Sequence, residues 1–325
     1  MDLYFRRPEE YLLNYNCSFY DTSTWPVEGR RSLSFALGYL VAGIVEEILY
    51  IPVIYVLMDK KLRHLFCYRM MLILAIYDVL LLPVTAFATA YFSYTGAVFC
   101  EHPTVIYFMG IWLYSMWMGY SVYATILALN RCVCFTRANF LFKGYWQYFW
   151  YTVPLLYTIY EAVYGRPVIF NAQFCGWFFN PHMGYYDDLE GNYVNYVHMI
   201  DNSLVALLIP TFYVLFYVCL KNLMTQRNGA SKREKNLFIT VFGVSMMLSI
   251  GALGYVMMQL FKMPTWVILI SHVIWLIVQG APPVIYLTLN QTFKSRIFHR
   301  RITSSTHSSA GNDPTKNNKS QINPL

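Results

Sequence analysis

Long apolar segments recur along the chain from Phe35 to Leu289, and they constrain its fold more than any other feature. A helix needs about 20 apolar residues to cross the roughly 30 Å hydrocarbon core of a bilayer. Seven segments qualify, at residues 35–58, 70–92, 104–130, 146–164, 197–220, 236–261 and 265–289. Because lipid offers no hydrogen-bond partners, segments of this length must be helices. The sequence therefore predicts an all-α membrane protein, a seven-transmembrane helix bundle.

Composition agrees with this prediction. Only 13% of the 325 residues are charged, whereas about a quarter are charged in soluble domains. This excludes a soluble enzyme, a disulfide-rich secreted module, a nucleic-acid binder and a disordered chain. The sequence also has no HExxH or GxSxG motif, so we expect no enzyme activity, no metal and no cofactor.

The distribution of Lys and Arg sets the orientation. The loops and tail on one side hold 18 of the 24 basic residues, and the segments on the other side hold 6. Since the basic side is cytoplasmic, residues 1–34 form an extracellular N-terminus and residues 290–325 form a cytoplasmic tail around the membrane domain 35–289. The sequon Asn16-Cys17-Ser18 lies outside, where Asn16 is a predicted glycosylation site. Apolar residues among Lys and Arg at the start of the tail indicate a short amphipathic helix, and the polar composition after them indicates disorder.

Seven cysteines divide between the two sides of the membrane. Cys17, Cys100 and Cys175 fall outside, where disulfides persist. Cys100 stands just before the third span, and Cys175 lies in the long second outer loop. We therefore expect a Cys100–Cys175 disulfide that holds this loop over the bundle. Three outer cysteines leave one over, so Cys17 could replace either partner.

The predicted spans contain five acidic residues and no Lys or Arg. Glu161 and Asp201 lie near the outer ends of their spans, where a side chain reaches water easily. Asp78 and the pair Glu46 and Glu47 are deeper, where a charge is costly and faces the bundle interior. Asp78 is the stronger functional candidate, and the Glu pair is equally well explained by a structural role.

Three local patterns resemble those of rhodopsin-like receptors. Leu74-Ala75-Ile76-Tyr77-Asp78 has the LAxxD form of their second helix, and Asn130-Arg131-Cys132 stands where their third helix carries an acidic-Arg-Tyr triplet. Pro282-Pro283-Val284-Ile285-Tyr286 resembles NPxxY at the end of the seventh helix. Two departures stand out: Asn130 replaces the acidic residue, and the sixth span has no proline.

Several more specific sequence motifs resemble those of the nematode serpentine receptor class T family. The motifs that carry this resemblance are Gly96 to Cys100, Pro103-Thr104, Leu129 to Cys132, Leu49-Tyr50-Ile51-Pro52, Asn16-Cys17-Ser18 and Pro283 to Asn290. Members of that family are chemosensory G-protein-coupled receptors. The resemblance therefore implies a rhodopsin-like architecture in the plasma membrane, with a heterotrimeric G protein and an unidentified small molecule as partners besides the lipid bilayer.

The resemblance also implies roles for particular residues. The switch that couples to the G protein would comprise Asp78, Asn130, Arg131, Pro283 and Tyr286. A ligand between the outer helix halves would contact Trp112, Tyr114, Trp117, Tyr120, Asp201, Tyr255 and Trp266. Tyr and Trp are common at membrane interfaces in any case, so for each of these aromatic residues packing or an interface position is the simpler explanation. One alternative to a receptor is a ligand-gated cation channel or transporter, because intramembrane acids could line an ion path. Another is a receptor relic that no longer signals.

Overall fold

The computed structural model of the chain describes residues 1–18, 21, 29–133, 136–184, 188, 190–225 and 232–297. In chain order its helices are α1 (Asp2–Arg6), α2 (Pro8–Asn14), α3 (Leu33–Leu57), α4 (Lys60–Arg63), α5 (Phe66–Leu82), α6 (Thr89–Thr95), α7 (Pro103–Val133), α8 (Trp146–Tyr164), α9 (Tyr196–Thr225), α10 (Lys232–Leu260) and α11 (Thr265–Leu289). The seven predicted spans correspond to α3, the continuous α5–α6 stretch and α7 to α11. The predicted helix bundle is therefore confirmed.

The outside of the bundle is apolar. On α3, for example, Leu37, Val41, Ile44 and Ile48 recur at helical spacing and are all exposed. Within the described residues, five helical stretches are long and apolar enough to cross a membrane, and Ser245–Leu260 adds a shorter apolar helix inside α10. An apolar surface of this extent is stable only against lipid, so the chain is a multi-pass membrane protein.

Helix α7 is the central helix, and its most apolar window is 72% buried. Two glycines allow the close contacts it makes. A Cβ at Gly119 would lie 1.8 Å from Thr158 Oγ1 of α8, and a Cβ at Gly110 would lie 1.7 Å from the backbone oxygen of Val168. Helix α7 packs on α5, α8 and α9, so side chains that point in different directions from it reach different parts of the interior.

A π-helical segment, Pro83–Ala88, separates α5 from α6. Proline lacks the N–H that would continue the α-helical hydrogen bonds, which explains the change of helix type at Pro83. The Thr85 hydroxyl donates to Leu81 O and the Thr89 hydroxyl donates to Val84 O, at 3.2 and 2.9 Å, so both satisfy carbonyls of the widened turn.

A short β-hairpin lies over one end of the bundle, called here the outer end. Strands β1 (Ile169–Asn171) and β2 (Gly176–Phe178) are antiparallel and fully buried. The hairpin is fastened to the segment before α7, since Asn171 forms a β-bridge with Val98 and Ala172 N–H donates to Ala97 O at 3.0 Å. These backbone bonds hold the second outer loop in place.

The predicted Cys100–Cys175 disulfide is wrong, and Cys17 is the partner of Cys100. The rings of Tyr11 and Tyr15 pack on Tyr107 at the start of α7. These contacts bring the N-terminal segment, and with it Cys17, close to Cys100. Cys175 is instead free and buried at the hairpin turn, where its thiol donates to Ala172 O at 3.4 Å. Burial raises the pKa of this thiol.

The chain after α11 packs back on the bundle. Residues 291–297 are helical, and Phe293 is completely buried with its ring stacked on Tyr286 at 5.2 Å between centroids. Arg296 forms an ion pair with Asp59, just before α4. The disorder predicted for the rest of the tail concerns residues 298–325, which lie outside the described residues.

Candidate functional site

The half of the bundle under the hairpin contains a pocket that is partly open to solvent, called here the outer cavity. Helices α7, α9, α10 and α11 and the β-hairpin form its wall. Its lining residues are Leu113, Tyr114, Trp117, Val168, Trp177, His198, Asn202, Met247, Leu248, Gly251, Ala252, Tyr255, Ile274, Trp275 and Val278. None of these fifteen residues is Asp, Glu, Lys or Arg. This lining, apolar with a few polar groups, is typical of a site for a small, mostly apolar molecule.

A line of hydrogen-bonding groups runs along one side of the outer cavity. The indole N–H of Trp117 donates to Asn202 Oδ1 at 2.9 Å, and Asn202 Nδ2 lies 3.3 Å from His198 Nε2. On the other side of the imidazole, Gln259 Nε2 lies 3.0 Å from His198 Nδ1. The backbone N–H of Asn195 ends the line by donating to Gln259 Oε1 at 2.8 Å. We call these five groups the polar line.

The hairpin closes the outer cavity from above. Trp177 lines the cavity while its indole N–H donates to Thr89 Oγ1 at 2.9 Å, which places the ring beside the π-helical segment. Gly176 is packed so closely that a Cβ there would lie 1.8 Å from His272 Nε2. His272 Nδ1 in turn lies 2.5 Å from the Tyr255 hydroxyl. The hairpin and the helices that line the cavity therefore pack directly against each other.

A wider vestibule lies between the loop that carries the hairpin and the outer end of α10. Val168, Trp177 and Tyr255 line both this vestibule and the outer cavity. These three side chains therefore lie where the vestibule adjoins the outer cavity.

A second cavity, the inner cavity, lies in the other half of the bundle. It is lined by Tyr50, Met71, Leu74, Ala75, Asp78, Tyr120, Ala124, Leu127, Arg131, Ile209, Tyr213, Ser245, Leu248, Val278, Pro282, Ile285 and Tyr286. It thus contains an acid, Asp78, and a cation, Arg131. The Arg131 guanidinium approaches Met71 of α5, with Nη2 4.0 Å from the sulfur.

Asp78 belongs to a contact among three helices. The Tyr50 hydroxyl lies 2.7 Å from Asp78 Oδ2 and 2.7 Å from the backbone oxygen of Gln279. Tyr50 and Asp78 are each 1% exposed, so this contact is shielded from water. It joins α3, α5 and α11 through one hydroxyl group. A hydroxyl has a single proton, so it donates to only one of its two acceptors at a time.

The two cavities meet inside the bundle. Leu248 of α10 and Val278 of α11 line both of them. On α7, Trp117 lines the outer cavity and Tyr120 the inner one, and their rings stack at 6.0 Å. The two cavities therefore share side chains of α10 and α11, and their linings touch on α7.

Comparison with known proteins places this architecture in a family. The model of the serpentine-type seven-transmembrane GPCR chemoreceptors of class Srt matches residues 2–309. The chain belongs to the Srt chemoreceptor family. It is also similar to serpentine receptor class T-55 of Caenorhabditis elegans, with 23% identity over 295 residues that cover 88% of this chain and 79% of the relative. Srt is a family of receptors rather than of enzymes.

The six aromatic ligand contacts predicted for this Srt protein divide into three groups. Tyr114, Trp117 and Tyr255 line the outer cavity, whereas Tyr120 lines the inner one. Trp112 and Trp266 are 43% and 65% exposed on the outside of the bundle, where they face neither cavity. The indole N–H of Trp112 donates to Leu80 O at 2.9 Å.

Asp201 and the predicted switch residues also take separate places. Asp201 lines neither cavity, although it is on the same helix as His198 and Asn202. Among the switch residues, Asp78, Arg131 and Tyr286 line the inner cavity, while Asn130 and Pro283 are buried outside its lining. The structure thus brings three of the five switch residues together.

Sequence reasoning missed the polar line. His198 is one of several histidines at different depths in the sequence, and packing is the simplest role for such a residue. The available signal was the spacing of His198 and Asn202, because residues four apart share a helix face. Trp177 was missed because its position depends on the hairpin rather than on a helix.

Proposed function

We propose that this Srt protein is a chemosensory G-protein-coupled receptor. A small molecule binds in the outer cavity, and a heterotrimeric G protein binds at the inner end of the bundle. The N-terminus lies outside the cell with a glycan on Asn16, and the tail lies in the cytoplasm. Membership of the Srt family and the bias of basic residues, 18 against 6, support this arrangement.

The observation that carries the proposal is the wall shared by the two cavities. A ligand that packs against Leu248 or Val278 changes the packing of the inner cavity with no intervening layer. If it fits one arrangement of α10 and α11 better than another, it shifts the population toward that arrangement. The stacked rings of Trp117 and Tyr120 give a second contact between the cavities.

The inner cavity supplies the groups for coupling. The Arg131 guanidinium is a fixed cation with five donors, suited to carbonyl or carboxylate groups of a G protein. Tyr286 lines the same cavity and stacks on Phe293, so a movement of α11 also moves residues 291–297. The Tyr50 hydroxyl, shared by Asp78 and Gln279, joins this region to α3.

A signalling assay with paired variants tests the proposal. Cells that express the full chain and a promiscuous G-protein α subunit are exposed to a panel of small molecules, with intracellular calcium as the readout. For an active compound, Ala252→Leu adds bulk inside the outer cavity, and Leu253→Phe adds bulk to the neighbouring exposed residue. We expect Ala252→Leu to raise the half-maximal concentration at least about tenfold, the effect of roughly 1.4 kcal/mol, and Leu253→Phe to leave it unchanged.

The inner end is tested in the same cells. Arg131→Ala should abolish the response with normal surface expression, whereas Arg63→Ala, which removes an exposed cation at the end of α4, should not. Stabilisation by the compound should survive Arg131→Ala, because the ligand site is separate. The proposal fails if no compound evokes a response that depends on Arg131, or if Ala252→Leu and Leu253→Phe behave alike.

A further inference from the structure

The polar line contains one hydrogen-bond donor too many. Its two ends, the Trp117 indole and the Asn195 backbone N–H, are both donors. Each of the three groups between them, the Asn202 amide, the His198 imidazole and the Gln259 amide, can offer one donor and one acceptor along the line. The four contacts need four acceptors, but only three are present along the line. One contact must therefore join two donors.

The distances place this mismatch between His198 and Asn202. Asn202 Oδ1 faces the Trp117 indole and Gln259 Oε1 faces the Asn195 N–H, so both NH₂ groups face the imidazole. The Gln259 contact, at 3.0 Å, is the shorter, so His198 Nδ1 accepts there and Nε2 carries the proton. That N–H then meets the Asn202 NH₂ group in the longest of the four contacts, 3.3 Å. Rotating either amide only moves the mismatch, and protonating the imidazole adds a further donor.

The mismatched pair is buried and belongs to the outer cavity. His198 is 5% exposed, Asn202 is not exposed at all, and both line the cavity. A buried donor without an acceptor is costly. Trp275 of α11 adds a buried indole N–H that has no hydrogen-bond partner among the described residues. The cavity thus presents more donors than the described residues around it can satisfy.

We infer that the ligand of the outer cavity is a neutral, largely apolar molecule with an oxygen acceptor that binds between His198 and Asn202. This rests on the proposed function of the cavity as the ligand site. A carbonyl, ether or hydroxyl oxygen accepts from both groups and removes the mismatch. An ammonium group would add donors, and a carboxylate would bury its charge among fifteen uncharged lining residues. A hydrocarbon would fill the cavity and leave the donor pair unsatisfied.

Thermal stabilisation of the purified full chain in nanodiscs tests the ligand class. Four compound sets matched for size are compared, headed by acetophenone, ethylbenzene, benzoate and benzylammonium. We expect members of the acetophenone set to raise the apparent Tm and to bind at least about tenfold more tightly than their hydrocarbon counterparts. The inference is wrong if the charged sets stabilise the protein, if hydrocarbons bind equally well, or if no acceptor-bearing neutral compound binds.

A variant outside the outer cavity shows whether the mismatch is the cause. Gln259→Glu supplies two acceptor oxygens, one for Asn195 N–H and one for His198 Nδ1–H, so that Nε2 can accept from Asn202. Gln259 lines the vestibule but not the outer cavity. The preference for acetophenone over ethylbenzene should therefore fall from about tenfold to about threefold or less. Gln173→Glu, the same change at an exposed position of the hairpin turn, should leave the preference intact.

A second variant and a water control complete the test. Trp117→Phe removes one terminal donor and should also reduce the preference, which covers the case that Gln259→Glu does not fold. An ordered water that satisfied the donor pair by itself would make all uncharged sets equal, which would overturn the inference. If charged compounds bind and evoke responses that depend on Arg131, the proposed function stands and only the ligand class falls. If acetophenone-type compounds bind but no response depends on Arg131, the ligand class stands and the proposed function is wrong.

Discussion

At the scale of single residues, two glycines of α7 decide how closely the hairpin and α8 approach the central helix. Gly110 faces the backbone of the loop at Val168, which cannot rotate away as a side chain would. Gly119 faces the Thr158 hydroxyl. In both cases the absence of a Cβ, rather than backbone freedom, is what the position requires.

Gly110→Ala should therefore destabilise the protein. Its Cβ would lie 1.7 Å from Val168 O, so the hairpin must move, at a cost of about 1–3 kcal/mol. Gly38→Ala on α3 is the matched control, because nothing lies within 4 Å of its Cβ and alanine favours a helix by roughly 0.5–1 kcal/mol. The apparent Tm in nanodiscs should fall for Gly110→Ala and stay level or rise for Gly38→Ala. Equal effects would contradict the close approach.

The Tyr50 hydroxyl is a second group whose removal has a defined consequence. Tyr50→Phe leaves Asp78 Oδ2 and the Gln279 carbonyl without their shared partner in a buried site, which should cost about 1–3 kcal/mol. Tyr91→Phe removes an exposed hydroxyl on α6 and serves as the control. The apparent Tm again reports the difference, and an unchanged value for Tyr50→Phe would show that the three-helix contact contributes nothing.

At the scale of elements, the N-terminal segment behaves as a part of the outer end of the bundle. Its tyrosines pack on α7, and the Cys17–Cys100 disulfide fixes it covalently. Cys17→Ser should therefore lower the apparent Tm, since loss of a native disulfide typically costs about 2–5 kcal/mol. Cys175→Ser should leave the bond intact. Peptide mapping under non-reducing conditions would contradict the pairing if it linked Cys100 to Cys175.

A histidine of the second outer loop makes this docking sensitive to pH. His182 Nε2 lies 3.0 Å from Asn16 O, and burial lowers the pKa of His182 from its ordinary 6.5. The folded state thus favours the neutral ring, whose contribution to stability is full above that value and is lost as the pH falls toward the lower folded-state pKa. Between about pH 7 and pH 5, the apparent Tm of the wild type should fall more than that of His182→Gln. Parallel curves would exclude this role.

The elements also show what could and could not be predicted from the sequence. The spans were predictable because bilayer thickness acts on each segment separately; residues 146–164 coincide with α8. The cysteine pairing was not, because the position of Cys17 depends on aromatic contacts between distant parts of the chain. Likewise Tyr114, Trp117 and Tyr255 were identified as residue types suited to a ligand, while Trp112 and Trp266 have the same chemistry but face outward. Which face of a helix is turned inward depends on packing.

At the scale of the whole molecule, the bundle separates two chemistries along its axis. The outer cavity is uncharged and rich in hydrogen-bond donors, and the inner cavity contains Asp78 and Arg131. Leu248 and Val278 form the wall between them. This order serves a receptor only if the outer cavity opens to the outside of the cell and Arg131 faces the cytoplasm.

The sidedness of the chain in the plasma membrane therefore tests the account most directly. In intact cells, a glycosidase should shift the mobility of the full chain, and Asn16→Gln should remove the shift. A tag on the C-terminus should bind antibody only after permeabilisation. The reverse result, an unglycosylated N-terminus in the cytoplasm and an accessible C-terminal tag on intact cells, would place Arg131 outside, beyond the reach of any G protein, and would contradict the receptor mechanism.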